Sequence, residues 1–253
     1  LNKELGTLEV KQCARRWNEI EFDNISHSRI ARQVDAFLGK SKMNWSKETK
    51  DMDNVDRRLC KKQLQEYIKK MDDETVIKKK LGEDMGKVVQ MAKECNEEDD
   101  PEKADLINTL WWKHMKNIKE TWKNTYQRDS VFYPLIDVST TMISDVYMDE
   151  NNSTRTRSTS QVYAAIAIGL SLAYISSHHT IIVFGTSANV VDLSKSSDQK
   201  NVVDAYNEYN LCKIVKEIMS SSIVGTLSDI GNAMSKFSEV HRKEIERRQS
   251  LCI

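Results

Sequence analysis

Proline and glycine are scarce, with 2 Pro and 8 Gly in 253 residues. So small a supply of turn and linker residues excludes a chain built mainly of loops or flexible connectors. No C-x-x-C pair occurs, and Cys13, Cys60, Cys95, Cys212 and Cys252 lie far apart with no His at metal-ligand spacing. A structural zinc is therefore not expected, and the thiols read as reduced, in a cytosolic or nuclear setting. Net charge is missing too. The 38 basic residues offset 38 acidic ones, which removes any global pull toward nucleic acid. The longest apolar stretches, near 162–175 and 180–193, are broken by polar residues and too short to cross a bilayer. No secretory signal is visible. The chain opens on Leu1 rather than Met, which fits a fragment and leaves an upstream signal open.

Catalytic signatures are lacking as well. Neither a Gly-x-x-x-x-Gly-Lys-Ser/Thr loop nor Gly-x-Gly-x-x-Gly is present, so nucleotide use has no support. No Ser/His/Asp set stands in a recognisable frame for nucleophilic attack. An enzyme is not expected. The pair His178-His179 precedes an apolar run, and neighbours on an extended chain point to opposite faces. A helix–strand turn is the better reading of that pair than a shared metal ion.

What remains is 39% hydrophobic and 30% charged, a balance suited to a soluble protein with many exposed helical faces. Two halves follow different rules. Residues 1–127 are rich in Lys, Glu, Asp, Leu and Met. Within them 57–71 place Leu59, Leu64, Tyr67, Ile68 and Met71 on one stripe. Residues 74–95 continue as a second helix. Asp100-Pro101-Glu102 reads as a helix start, with Pro in its first position and an acid in the first turn. From there to about Tyr126, Leu106, Leu110, Trp111, Met115, Ile118 and Trp122 keep the period of a buried face. Trp112, beside Trp111, must face elsewhere and is the better exposed candidate.

Residues 128–253 alternate strand and helix. Val131 to Ile136 is short and apolar, like a strand buried on both faces. A polar stretch at 149–157 precedes an apolar helix through Val162, Ile166, Gly169 and Ala173, whose small residues would let it lie close to a sheet. Thr180–Gly185 is a strand, Asn189–Leu193 a second one after a tight turn, and 200–219 a helix. A Gly-containing polar loop at 224–230 leads into an amphipathic helix to about Arg248. Leu251-Cys252-Ile253 looks like the start of a further strand. Such alternation predicts an α/β layer fold.

The first strand stops in Asp137-x-Ser139-x-Thr141, three hard oxygen side chains spaced two apart. Open α/β sheets place ligands at the carboxyl ends of their strands. There such a loop can gather around one small cation, and Mg²⁺ accepts a set holding a single carboxylate because it retains waters. A plain polar turn is the competing reading.

This order of elements resembles a von Willebrand factor A (vWA) domain with its metal-ion-dependent adhesion site. The resemblance implies a Rossmann-type, mostly parallel sheet flanked by helices. It matches Asp137, Ser139 and Thr141 to the first metal loop. It puts Ser228 in the hydroxyl position of the second, with Thr226 as the alternative and Asp229 beside it. It also places a third loop, Ser-Asp, beyond residue 253, so the α/β part is expected to be incomplete at its C-terminus. The segment Trp17-Asn18-Glu19-Ile20-Glu21-Phe22 through Ser26-His27-Ser28 resembles one in a family of uncharacterised proteins of plants, fungi and large DNA viruses. Those pair a helical module, distantly like the TROVE module of the Ro autoantigen, with an A domain. The expected organisation is thus a helical TROVE-like module at 1–127 and a vWA-like α/β domain at 128–253.

Function follows as an expectation: a scaffold that binds a protein partner bearing an acidic residue through Mg²⁺ or Mn²⁺. A second reading is RNA binding by the helical module through Arg57, Arg58, Lys61, Lys62, Lys69 and Lys70, although a solvated helix face is the usual meaning of such a run. A third is a structural part of a larger assembly such as a virus particle. The expected setting is intracellular and cytoplasmic, or within a virion, with no membrane.

Overall fold

The computed structural model describes residues 7–39, 55–70, 85–98, 100–126, 131–143, 146–148, 154–156, 161–176, 178–193, 210–220, 223–225 and 227–250. The chain begins with α1 (Leu8–Cys13), followed by two 3₁₀ turns, Trp17–Glu19 and Phe22–Asn24. These turns bring Trp17, Ile20, Phe22 and Ile25 into the core. Next come α2 (His27–Arg32) and α3 (Val34–Phe37). Ser26 caps α2, its Oγ accepting the Arg29 N–H at 3.3 Å. Helix α4 (Val55–Lys70) buries Cys60, Leu64 and Tyr67 at helical spacing. The Phe22 ring lies between Phe37, edge-on at 5.2 Å, and Tyr67, stacked at 6.0 Å.

Two long helices carry the centre. Helix α5 (Gly86–Glu98) buries Val88, Val89 and Ala92 completely. Its expected start at 74 falls outside the described residues. Helix α6 (Pro101–Tyr126) starts where the sequence places it, with Asp100 Oδ1 accepting the Lys103 N–H at 3.1 Å. Lys103 is 1% exposed, and its Nζ lies 3.1 Å from each carboxylate oxygen of Asp35, which ties α3 to α6. Trp112 corrects its expectation. It is half-buried, edge-on to Tyr174 at 5.7 Å. The cause is that α6 packs against several helices and so has more than one buried face.

Strand β1 (Leu135–Asp137) leads to a helical turn, α7 (Thr140–Ile143). Strands β2 (Val146–Met148) and β3 (Thr154–Thr156) form a separate antiparallel pair, of which β3 falls within what reads as a plain polar stretch. Helix α8 (Gln161–Ile175) then crosses β1, with Val162, Ile166 and Ala173 fully buried. A Cβ on Gly169 would sit 2.5 Å from Ile136 Cδ1, so glycine sets how closely helix and strand approach. His178 and His179 occupy the turn after α8, as expected. Strands β4 (Thr180–Phe184), buried at all five positions, and β5 (Ala188–Asp192) complete the sheet. After α9 (Leu211–Ile218), α10 (Ile230–Ser250) sets Ala233 and Phe237 on Ile182 and Phe184. Phe237 also meets Tyr133 edge-on at 5.4 Å, and Glu244 lies 3.7 Å from His178. Residues 200–209 of the expected helix and the expected strand at 251–253 lie outside the described residues.

The expected Rossmann-type, mostly parallel sheet flanked by helices is not what forms. Helices dominate the described residues, and the main sheet has three strands in the order β1-β4-β5. Only β1 and β4 run parallel, whereas β4 and β5 are antiparallel, with Ile182 opposite Val190. The reason is local. Three residues, Gly185 to Ser187, join β4 to β5, and so short a link can only turn the chain back, since a parallel neighbour needs a crossover of a dozen or more residues. One continuous apolar cluster runs from Leu8 through α5, α6 and α8 to Ile223. The expected boundary at 127/128 lies outside the described residues. Among the described residues no helix is long and apolar enough to cross a membrane.

Candidate cation site

Three backbone segments meet at one end of the small sheet. Past β1, Val138 N–H still donates to Phe184 O at 2.8 Å. The chain then leaves the sheet, because Ser139 N–H turns to Asp137 Oδ1, also at 2.8 Å. Such a side-chain acceptor competes with the ladder and ends the strand. Thr140 N–H donates to Gly225 O at 3.0 Å. Thr186 N–H donates to Ile223 O at 3.2 Å, and Asp229 N–H to Gly185 O at 3.0 Å. The loop after β1, the β4–β5 turn and the segment before α10 are thereby laced together by main-chain bonds.

Glycines make these approaches possible, and the sequence reading missed them. A Cβ at Gly185 would lie 2.4 Å from Ile223 O, and one at Gly225 only 1.6 Å from Thr186 Oγ1. The signal was their place in two polar turns after apolar runs. For Gly185→Ala the clash is with main chain, which cannot rotate away, so we expect a loss of about 1–3 kcal/mol. Urea denaturation would measure it. An unchanged midpoint would mean that the three segments yield without cost.

On this frame the side-chain oxygens form two hydrogen-bonded pairs, joined by the Ser139 N–H bond to Asp137. Ser139 Oγ and Thr141 Oγ1 are 2.9 Å apart. Ser228 Oγ donates to Asp137 Oδ2 at 2.7 Å, across 91 residues of sequence. Ser139 is fully buried and Asp137 half-buried, while Thr141 and Ser228 face solvent. The donor set suits a hard cation. Neighbouring ligands of an octahedral Mg²⁺ at about 2.1 Å stand about 3 Å apart, close to the spacing within each of the two pairs. Among the described residues no group of three or more His, Cys, Asp or Glu gathers, so this set relies on hydroxyls beside one carboxylate.

Asp229 joins neither pair. Its Oδ1 accepts the Asn232 N–H at 3.0 Å and its Oδ2 the Asn232 side-chain amide at 2.9 Å, which caps α10. Thr226 lies outside the described residues. Around the site Leu227, Ile230 and Met234 are 68%, 64% and 49% exposed, far more than apolar side chains of their size usually are.

Two of the basic residues of α4 have partners within the fold. The Arg57 guanidinium sits 4.3 Å over the Trp17 ring, and Lys61 pairs with Glu102 at 2.7 Å. Arg58, Lys62, Lys69 and Lys70 are exposed, with Lys62 within 3.9 Å of Glu66. Charges counted along the sequence divide here between packing, ion pairing and solvent. Comparison with protein-family models, with curated proteins and with solved structures finds no match for this chain.

Proposed function

We propose that this chain is a non-enzymatic binding protein that engages a protein partner through Mg²⁺ or Mn²⁺ held by Asp137, Ser139, Thr141 and Ser228. One observation carries the reading. The carboxylate that ends β1 accepts bonds both from its own loop and from Ser228, on a segment fixed independently by main-chain bonds. A single carboxylate with three neutral hydroxyls would leave a bound divalent cation with positive charge unmatched, and such an ion favours a further anionic oxygen from outside. An aspartate or glutamate of a partner supplies that oxygen. Exposed Leu227, Ile230 and Met234 beside the site support a protein partner, since such apolar surface is what interfaces cover.

Titration with Mn²⁺, followed by water-proton relaxation, tests the reading. Bound Mn²⁺ should enhance relaxation. Acetate, standing in for a partner carboxylate, should lower the enhancement by replacing a water, and EDTA should abolish it. The far-UV circular dichroism should stay unchanged on chelation, because the loops are held by their own hydrogen bonds. No enhancement at millimolar Mn²⁺ would overturn the assignment.

A further inference from the structure

Helix α10 presents three different faces. One docks on the sheet, through Ala233 and Phe237 against Ile182 and Phe184. A second is charged and pairs within itself. Lys236 and Lys243 both meet Glu239, at 3.2 and 2.7 Å, and Arg242 lies 4.0 Å from Glu246. The third carries Ile230, Met234, Ser238, His241 and Ile245, all of them exposed. Steps of three or four residues keep these five on one stripe along the helix. Ile230, Met234 and Ile245 are 64%, 49% and 43% exposed, and apolar surface gathered in this way marks a place of association.

The spacing says what covers it. Ile230 to Met234 is four residues, Met234 to His241 seven, and His241 to Ile245 four, the same order from either end. Laid antiparallel on itself, the helix sets Ile230 opposite Ile245 of a second copy and Met234 opposite His241. The two-fold axis then passes between Phe237 and Ser238. A patch that matches itself in this way is what an isologous dimer requires. Ser238 is small, and its hydroxyl already donates to Met234 O at 2.9 Å, so it brings no unmet donor to the axis. Charge selects the same arrangement. Antiparallel helices bring Lys236 level with Glu239 of the second copy, whereas a parallel pair would set each charge level with its like. Their dipoles also oppose.

We infer that this stripe is a homodimer interface, in which the α10 helices of two copies pack antiparallel. Covering it on both copies removes on the order of 1,000 Å² from water, the low end for a specific interface. The dimer is therefore weak and depends on concentration. The inference does not rest on the cation reading. Ile230 and Met234 flank that site, however, so a second copy and an acidic partner compete for this end of the helix.

Sedimentation equilibrium in EDTA, from ~2 to ~200 μM protein, tests it. The mass should rise from one chain to two and stop there. Ile245→Lys puts an ammonium against Ile230 of the second copy, at the end of α10 away from the cation site. That variant should stay monomeric throughout, with its far-UV spectrum unchanged because the position is exposed. For orientation, Ile230→Cys and Ile245→Cys chains are oxidised separately and as a mixture. Only the mixture should link through these two positions, as peptide mapping reads. A single chain's mass at the highest concentration, growth beyond two, pairing of Ile245→Lys like the parent, or linkage within either variant alone overturns the inference. Asp137→Ala should sediment as the parent does, so failure of the cation reading is seen separately.

Discussion

Asp137→Ala should remove cation binding altogether, with Mn²⁺ affinity reduced at least about 100-fold because the only carboxylate of the set is gone. The same change leaves the Ser139 N–H and the Ser228 hydroxyl without their acceptor. Each lost bond is worth about 0.5–1.5 kcal/mol, and the half-exposed position lets water replace part of it. The variant should therefore still fold. Asp137→Asn separates the two effects. It retains an acceptor oxygen but no charge, so affinity should fall almost as far while stability barely moves. Calorimetric titration of all three proteins decides. Equal heats would show that Asp137 only shapes a turn.

The largest loss of stability should come from Asp35→Ala. Lys103 is nearly sealed from water, and both oxygens of Asp35 meet its ammonium. Removing one partner of a buried pair leaves the burial of the other charge less well compensated, usually at 3–5 kcal/mol. Asp35 is itself 41% exposed, so we expect the lower end, about 3 kcal/mol, or a fall in melting temperature of about 6–12 °C. Lys103→Met should cost much less, since it removes the buried charge and leaves a solvated carboxylate behind. Thermal melts of both variants give the comparison. A milder effect for Asp35→Ala than for Lys103→Met would refute this account of the pair.

Some of this architecture is legible in the residues. The continuous apolar run of β4, the Asp100-Pro101 start of α6 and the turn at His178-His179 all depend on near neighbours, and near neighbours are what a sequence displays. Asp137, Ser139 and Thr141 could be grouped for the same reason. The sheet as a whole went wrong because a Rossmann-type layer was taken from a resemblance, whereas the tight turn between Phe184 and Ala188, read as such, already required β5 to reverse. Trp112 went wrong because periodicity describes one buried face and α6 has more than one. The basic run of α4 gives charges but no partners, so it could not show Arg57 over Trp17 or Lys61 against Glu102. Contacts such as Lys103 with Asp35 depend on how distant helices meet, which no local spacing encodes.

The hydrogen bond from Ser228 to Asp137 also sets a timetable. During synthesis Asp137 emerges first, and Ser228 follows only after 91 further residues have been made. Closing so long a loop is slow and is rewarded only once β4 and α10 are in place to hold both ends. A nascent or half-folded chain thus offers three of the four oxygens and lacks the last. On the proposed reading the site matures only when these two segments dock, so a partner that depends on it would meet only chains in which they have docked.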